Sequence, residues 1–113
     1  MPVFRNSVTL TLDSGEYRLK PTFQAIMDIE ERLGGIIGLA VRAADGDFGL
    51  KEMTVIIWAT MEDRLNFEQV GKLILAEGLA KASPVVRDLL ILCLVGLNTP
   101  ENSEENTEEN APD

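Results

Sequence analysis

Four groups of residues in this chain have types and spacings from which chemistry can be built, and each lacks a component. Glu30-Glu31 and Glu62-Asp63 are paired carboxylates, the raw material of general acid–base catalysis. Neighbours on a helix differ by about 100°, so the members of each pair point apart and form no dyad. Cys93 is a potential nucleophile, but the chain has no histidine to activate it. It also lies in the apolar run LLILCLVGL, residues 89–97, where a thiolate is disfavoured. Asp45-Gly46-Asp47 resembles the start of a calcium loop but lacks the later ligands and the bidentate glutamate. Gly34, Gly35 and Gly38 resemble a phosphate loop, yet they follow a helical pattern, and no Lys-Ser/Thr pair completes it. One cysteine without histidine assembles neither a disulfide nor a zinc site. No catalysis, metal or cofactor is therefore expected, and a binding or assembly role leads.

Two places hold side chains of the wrong kind for their surroundings. Glu30 falls inside the apolar sector of a helical segment. A carboxylate there needs donors, which adjacent backbone amides, Arg18, Lys20 or a binding partner can supply. The second place is the last helical segment. At about 100° per residue, Arg87 and Asp88 define a polar side, and Ile91 and Val95 fall on it with Leu94 beside them. A helix that is apolar all round is either central in its own fold or laid against another chain. Ile91, Leu94, Val95 and Glu30 are accordingly the candidate partner-binding residues, with core packing as the alternative for the first three.

The elements that position them follow from periodicity. Val8-Thr9-Leu10-Thr11-Leu12 alternates apolar and polar residues, Asp13-Ser14-Gly15 is turn chemistry, and Tyr17 and Leu19 resume the alternation. This predicts a β-hairpin over residues 3–12 and 16–20. Two strands alone are marginal in water, so the hairpin must pack on helices. Thr22 caps a helix over 23–33, with Phe23, Ile26, Met27, Ile29 and Leu33 inward and Gly34-Gly35 as its stop. A short helix over 36–44 follows, with Ile37, Ala40 and Val41 inward. A third runs over 50–61 on Met53, Ile56, Ile57 and Thr60. Asn66 and Gln69 have capping-box spacing for a fourth over 67–77, with Phe67, Val70, Leu73 and Ile74 inward and Gly78 after it. Ser83-Pro84 reads as N-cap and first turn of a fifth that ends near Gly96. The expected fold class is α+β, mostly α: an N-terminal hairpin packed on about five short helices.

The charge distribution sets the domain boundary. The chain carries 19 acids against 10 bases, a net charge of −9. Such a chain is repelled by phosphate backbones, so nucleic acid is not an expected partner, and no helix carries a basic face. Residues 98–113 (NTPENSEENTEENAPD) hold six acids, no base and no aliphatic residue larger than alanine. They cannot bury enough apolar area to offset ordering, so a single globular domain over 1–97 and a disordered acidic tail over 98–113 are expected. The tail either aids solubility or attracts a basic partner. The apolar run at 89–97 is less than half the ~20 residues that span a bilayer, and no apolar leader follows Met1. No membrane association is expected, and Cys93 is expected to remain reduced inside the cell.

The order of elements carries a resemblance. The hairpin leads into Leu19-Lys20-Pro21-Thr22-Phe23-Gln24-Ala25-Ile26-Met27-Asp28-Ile29-Glu30-Glu31-Arg32-Leu33-Gly34. Then come Leu65-Asn66-Phe67-Glu68-Gln69-Val70-Gly71, Ala76-Glu77-Gly78-Leu79 and a terminal apolar helix. Over residues 5–97 this resembles the small tail proteins of siphophages and gene transfer agents, the tail-tube-associated assembly-chaperone family. Its mark is the Phe-x-Ala-(Ile/Leu)-x-x-(Ile/Leu)-Glu-x-x-(Leu/Phe)-Gly helix. The resemblance implies a non-catalytic phage tail assembly chaperone in the cytoplasm of the bacterial host. Its implied partners are the tape-measure protein and the tail-tube protein, with weak self-association. It also implies, in many such genes, a longer product made by ribosomal frameshifting. Two alternatives stand beside it: a structural tail component retained in the virion, and a small acidic regulator or antitoxin that masks a basic partner.

Overall fold

The structure is a computed structural model and describes residues 6–96. An antiparallel hairpin, β1 (Val8–Leu12) and β2 (Gly15–Leu19), is followed by five helices. These are α1 (Phe23–Leu33), α2 (Ile36–Ala44), α3 (Leu50–Thr60), α4 (Phe67–Glu77) and α5 (Leu79–Val95). The expected class, a small hairpin on five helices, is the observed one. The acidic tail at 98–113 lies outside the described residues.

The hairpin turns through Asp13 and Ser14, with Leu12 opposite Gly15 and Val8 opposite Leu19. Gly15 takes φ +145°, a backbone region that side-chain-bearing residues avoid. Val8, Leu10 and Leu12 face the core, and the threonines between them face out. β1 coincides with the alternating stretch Val8–Leu12 and is shorter than the span 3–12 expected for the first strand. Asn6 and Ser7 lie outside the strand, and residues 3–5 lie outside the described region. On the partner strand, after Leu19, the Lys20 amide turns to the Thr60 carbonyl (2.6 Å). The Arg18 carbonyl likewise accepts from the Glu62 amide (3.0 Å), and Leu19 bridges Met61. The exit of α3 thus covers the outer edge of β2, which removes an exposed strand edge.

α3 is the central helix. Met53, Thr54, Val55, Ile56, Ile57, Ala59 and Thr60 are buried, and α1, α4 and α5 pack on it. The Thr60 hydroxyl is satisfied inside the helix, donating to the Ile56 carbonyl at 2.7 Å. Its four-residue core stripe is legible in the sequence; its nearly complete burial is not. α1 and α4 occupy the expected spans, with the Thr22 hydroxyl accepting from the Ala25 amide and Asn66 and Gln69 exchanging capping bonds.

α5 begins four residues before Ser83, with Gly78 (φ +100°) serving both as the end of α4 and the entry to α5. Pro84 therefore sits inside the helix, where it has no N–H for the Ala80 carbonyl. The extra turn is held by Ala82, which is buried, and by Lys81, which reaches Glu77 and Asp13. Pro84 and Ala80 are both exposed, so water can take up the freed carbonyl.

Candidate interaction surface

Three helices carry a second apolar strip that faces outward. On α1 the core side is Ala25 and Ile29, while Phe23 is 81% exposed and Met27 is exposed beside it. On α2 the core side is Ile36, Leu39, Ala40 and Ala43, while Ile37 is 72% exposed and Val41 is also exposed. On α5 the core side is Ala82, Val86, Leu89, Leu90 and Leu92, while Ile91 and Leu94 are 49% and Val95 67% exposed. Phe23, Met27, Ile37 and Val41 are thus not inward, as their periodicity suggests. The apolar sector of each helix is wider than one packing face, and α3 on one side and α5 on the other take only part of it. Phe67 on α4, also expected inward, is 41% exposed.

The strips converge. A depression of about 300 Å³ is lined by Ile26 and Glu30 of α1, Ile36 and Ile37 of α2, and Cys93 and Leu94 of α5. Phe23 lies one helical turn before Ile26 and Met27, Val41 one turn after Ile37, and Ile91 and Val95 flank Leu94 on their helix. The result is one apolar face built by three elements, of the kind that marks a protein contact site. Two of the four candidate residues, Glu30 and Leu94, share the depression, and Ile91 and Val95 sit at its side. All three α5 residues are surface residues and not core.

Glu30 is exposed, and its function in the fold is local. Its Oε2 accepts from the Ile36 amide at 3.0 Å, and its own carbonyl accepts from the Gly34 amide at 2.9 Å. α2 begins after Gly35, which has no side chain to cap it, so Glu30 supplies from α1 the acceptor that an N-cap would otherwise provide. A carboxylate at a helix N-terminus also complements the helix dipole. Arg18 and Lys20 are not its partners; Arg18 lies 4.0 Å from Glu62. Cys93 contributes an apolar wall, since burial pushes its thiol pKa up and keeps it protonated at neutral pH. Among the described residues no group of three or more Cys, Asp or Glu could hold a metal ion, and no helix is long and apolar enough to cross a membrane.

A second groove, about 380 Å³, runs between α3 and α4 over Leu50, Thr54, Phe67, Gly71 and Leu75, with Lys51, Glu68 and Lys72 at its rim. Sequence reasoning missed it. The signal is Gly71, where an added Cβ would stand 3.4 Å from the Thr54 hydroxyl: α3 and α4 cross closely at this point.

A family model described as phage tail tube protein, GTA-gp10, matches residues 5–96. No curated protein and no solved structure matches the chain. The matched span takes in both strands, all five helices and the whole apolar face. The chain belongs to this family of phage and gene-transfer-agent tail tube proteins.

Proposed function

We propose that this family member is a non-catalytic tail assembly chaperone that holds tape-measure and tail-tube proteins through the face formed by α1, α2 and α5. The observation that supports this most is the outward placement of Phe23, Met27, Ile37, Val41, Ile91, Leu94 and Val95 on three adjoining helices. Exposed apolar area of this extent stays soluble only if it is covered part of the time, and a chaperone surface is covered transiently. Long helical partners suit it, because apolar residues at i, i+3 and i+4 of an entering helix can lie in the depression between α1, α2 and α5. The same face allows weak self-association when no partner is present. The net charge of −9 opposes nucleic-acid binding and gives the complex charge repulsion against aggregation. Assembly of this kind takes place in the cytoplasm of the bacterial host.

A second reading is favoured by the family description, which is of the tail tube itself. In it the chain stays in the finished particle and the apolar face is a permanent subunit contact. Coexpression with each partner, followed by protein composition of purified particles, separates the two. Capture of the tape-measure protein with absence from particles supports the chaperone. Stoichiometric presence in particles supports the structural component.

A further inference from the structure

The single tryptophan, Trp58, is half-buried on α3, and two guanidinium groups lie against it. Arg32, in the last turn of α1, places Cζ 4.9 Å from the ring centroid. Arg64, between α3 and α4, places its Cζ 4.5 Å away. Phe67 meets the indole edge-on, with centroids 5.6 Å apart. Arg18, Arg42, Lys72 and Lys81 each have a carboxylate within 4.0 Å. Arg32 and Arg64, like Lys20, Lys51 and Arg87, have none among the described residues, but only these two lie on an aromatic ring without one, and Arg64 spends only one N–H, on the Ala59 carbonyl at 3.1 Å. A guanidinium that lies over an aromatic face keeps its in-plane N–H groups free, and these match a carboxylate bidentately. In a chain of net charge −9, two arginines with no carboxylate partner among the described residues thus lie on one ring.

The same chain carries the complementary ligand. Residues 98–113 read as four tetrads: Asn98-Thr99-Pro100-Glu101, Asn102-Ser103-Glu104-Glu105, Asn106-Thr107-Glu108-Glu109 and Asn110-Ala111-Pro112-Asp113. Each begins with Asn and ends with an acid, and none contains a base. We infer that this acidic segment docks on the Arg32–Trp58–Arg64 cluster of its own chain. Seventeen residues follow Gly96, and at about 3.3–3.6 Å per residue they reach farther than the 43 Å longest dimension of the structure. The segment has no bulky apolar side chain, so neither the α1–α2–α5 face nor the α3–α4 groove suits it, whereas a guanidinium pair does. Single exposed ion pairs are weak. The repeated tetrad offers several equivalent registers, and tethering holds the carboxylates at an effective concentration on the order of millimolar. An external acidic peptide therefore meets an occupied site, while the apolar face remains open.

The test uses the full chain and its one tryptophan. The indole N–H resonance and acrylamide quenching of Trp58 are compared between the natural sequence and E104Q/E105Q/E108Q/E109Q. The expected result is a shifted indole resonance and about a twofold rise in the quenching constant in the variant, reproduced in the natural sequence by ~1 M NaCl, where screening reaches ~3 Å. In an R32Q/R64Q background the four tail substitutions are expected to have no effect. Identical Trp58 signals with and without the tail carboxylates would overturn the inference. So would a tail effect that persists without the two arginines, or one that disappears on dilution, which would place the tail on a second copy.

Discussion

Replacing Ile91 and Val95 together by Asp separates a surface strip from a core helix. Full burial of such side chains is worth about 1.5–3 kcal/mol each. Ile91 is 49% and Val95 67% exposed, so only a half and a third of that is at stake. An acid in the last turn of a helix adds about 0.3–1 kcal/mol against the helix dipole. The expected loss is about 2 kcal/mol, which for a domain of this size lowers Tm by roughly 10 °C while leaving one cooperative transition. Leu92→Asp, one residue from Ile91 and only 4% exposed, is the contrast. It removes a full core contact and buries an unpaired charge, a loss of about 5 kcal/mol or more against a total stability of about 5–15 kcal/mol. Circular-dichroism melts with size-exclusion chromatography read both. Unfolding of I91D/V95D to the same extent as L92D would refute the surface placement.

Three further outcomes are expected from the geometry. The Thr54 hydroxyl is buried without a hydrogen-bond partner among the described residues, so Thr54→Val is expected to raise stability by about 1–2 kcal/mol in denaturant melts. Pro84→Ala restores a helix bond to the Ala80 carbonyl and is expected to stabilise by about 2 kcal/mol, the interior-proline penalty less the entropy that proline removes from the unfolded chain. Glu77 accepts from the Asp13 amide at 2.7 Å and the Ser14 amide at 3.3 Å, and these bonds, with Lys81, hold its pKa below the ordinary 4.5. A depressed carboxylate contributes fully above the unfolded value and loses that contribution as pH falls through the folded value. Tm of the natural sequence is therefore expected to fall below pH 4.5, and Glu77→Gln is expected to flatten that fall while lowering Tm at neutral pH.

The sequence makes local signals legible because they act over a few residues. Thr22, Gly34, Asn66 with Gln69, and Gly78 each bound a helix through bonds to their near neighbours, and those spans match the structure. Signals that compete with distant packing are less legible. Ser83-Pro84 has the form of a helix start, but burial of Ala82 and the Lys81 ties to Glu77 and Asp13 carry α5 one turn earlier. The end of β2 is likewise set at a distance, by the turn of the Lys20 amide toward the Thr60 carbonyl. The apolar face was half legible. Ile91, Leu94 and Val95 stand out against Arg87 and Asp88 on their own helix. Phe23 and Met27 merge with the core stripe of α1, and only Glu30, one turn after Met27, betrays the outward side. The one polar side chain of α2, Arg42, falls about 100° from Val41 and so does not mark the side of Ile37 and Val41, and the Arg32–Trp58–Arg64 cluster brings together residues from three separate segments.

The most direct measurement is a tagged coexpression of the chain with the tape-measure and tail-tube proteins, run in parallel with I91D/V95D. Soluble tape-measure protein recovered with the natural chain, and lost with a folded I91D/V95D, is the result expected of an assembly chaperone that works through the α1–α2–α5 face. Equal recovery with both chains, or capture of neither partner by the folded natural chain, would contradict it.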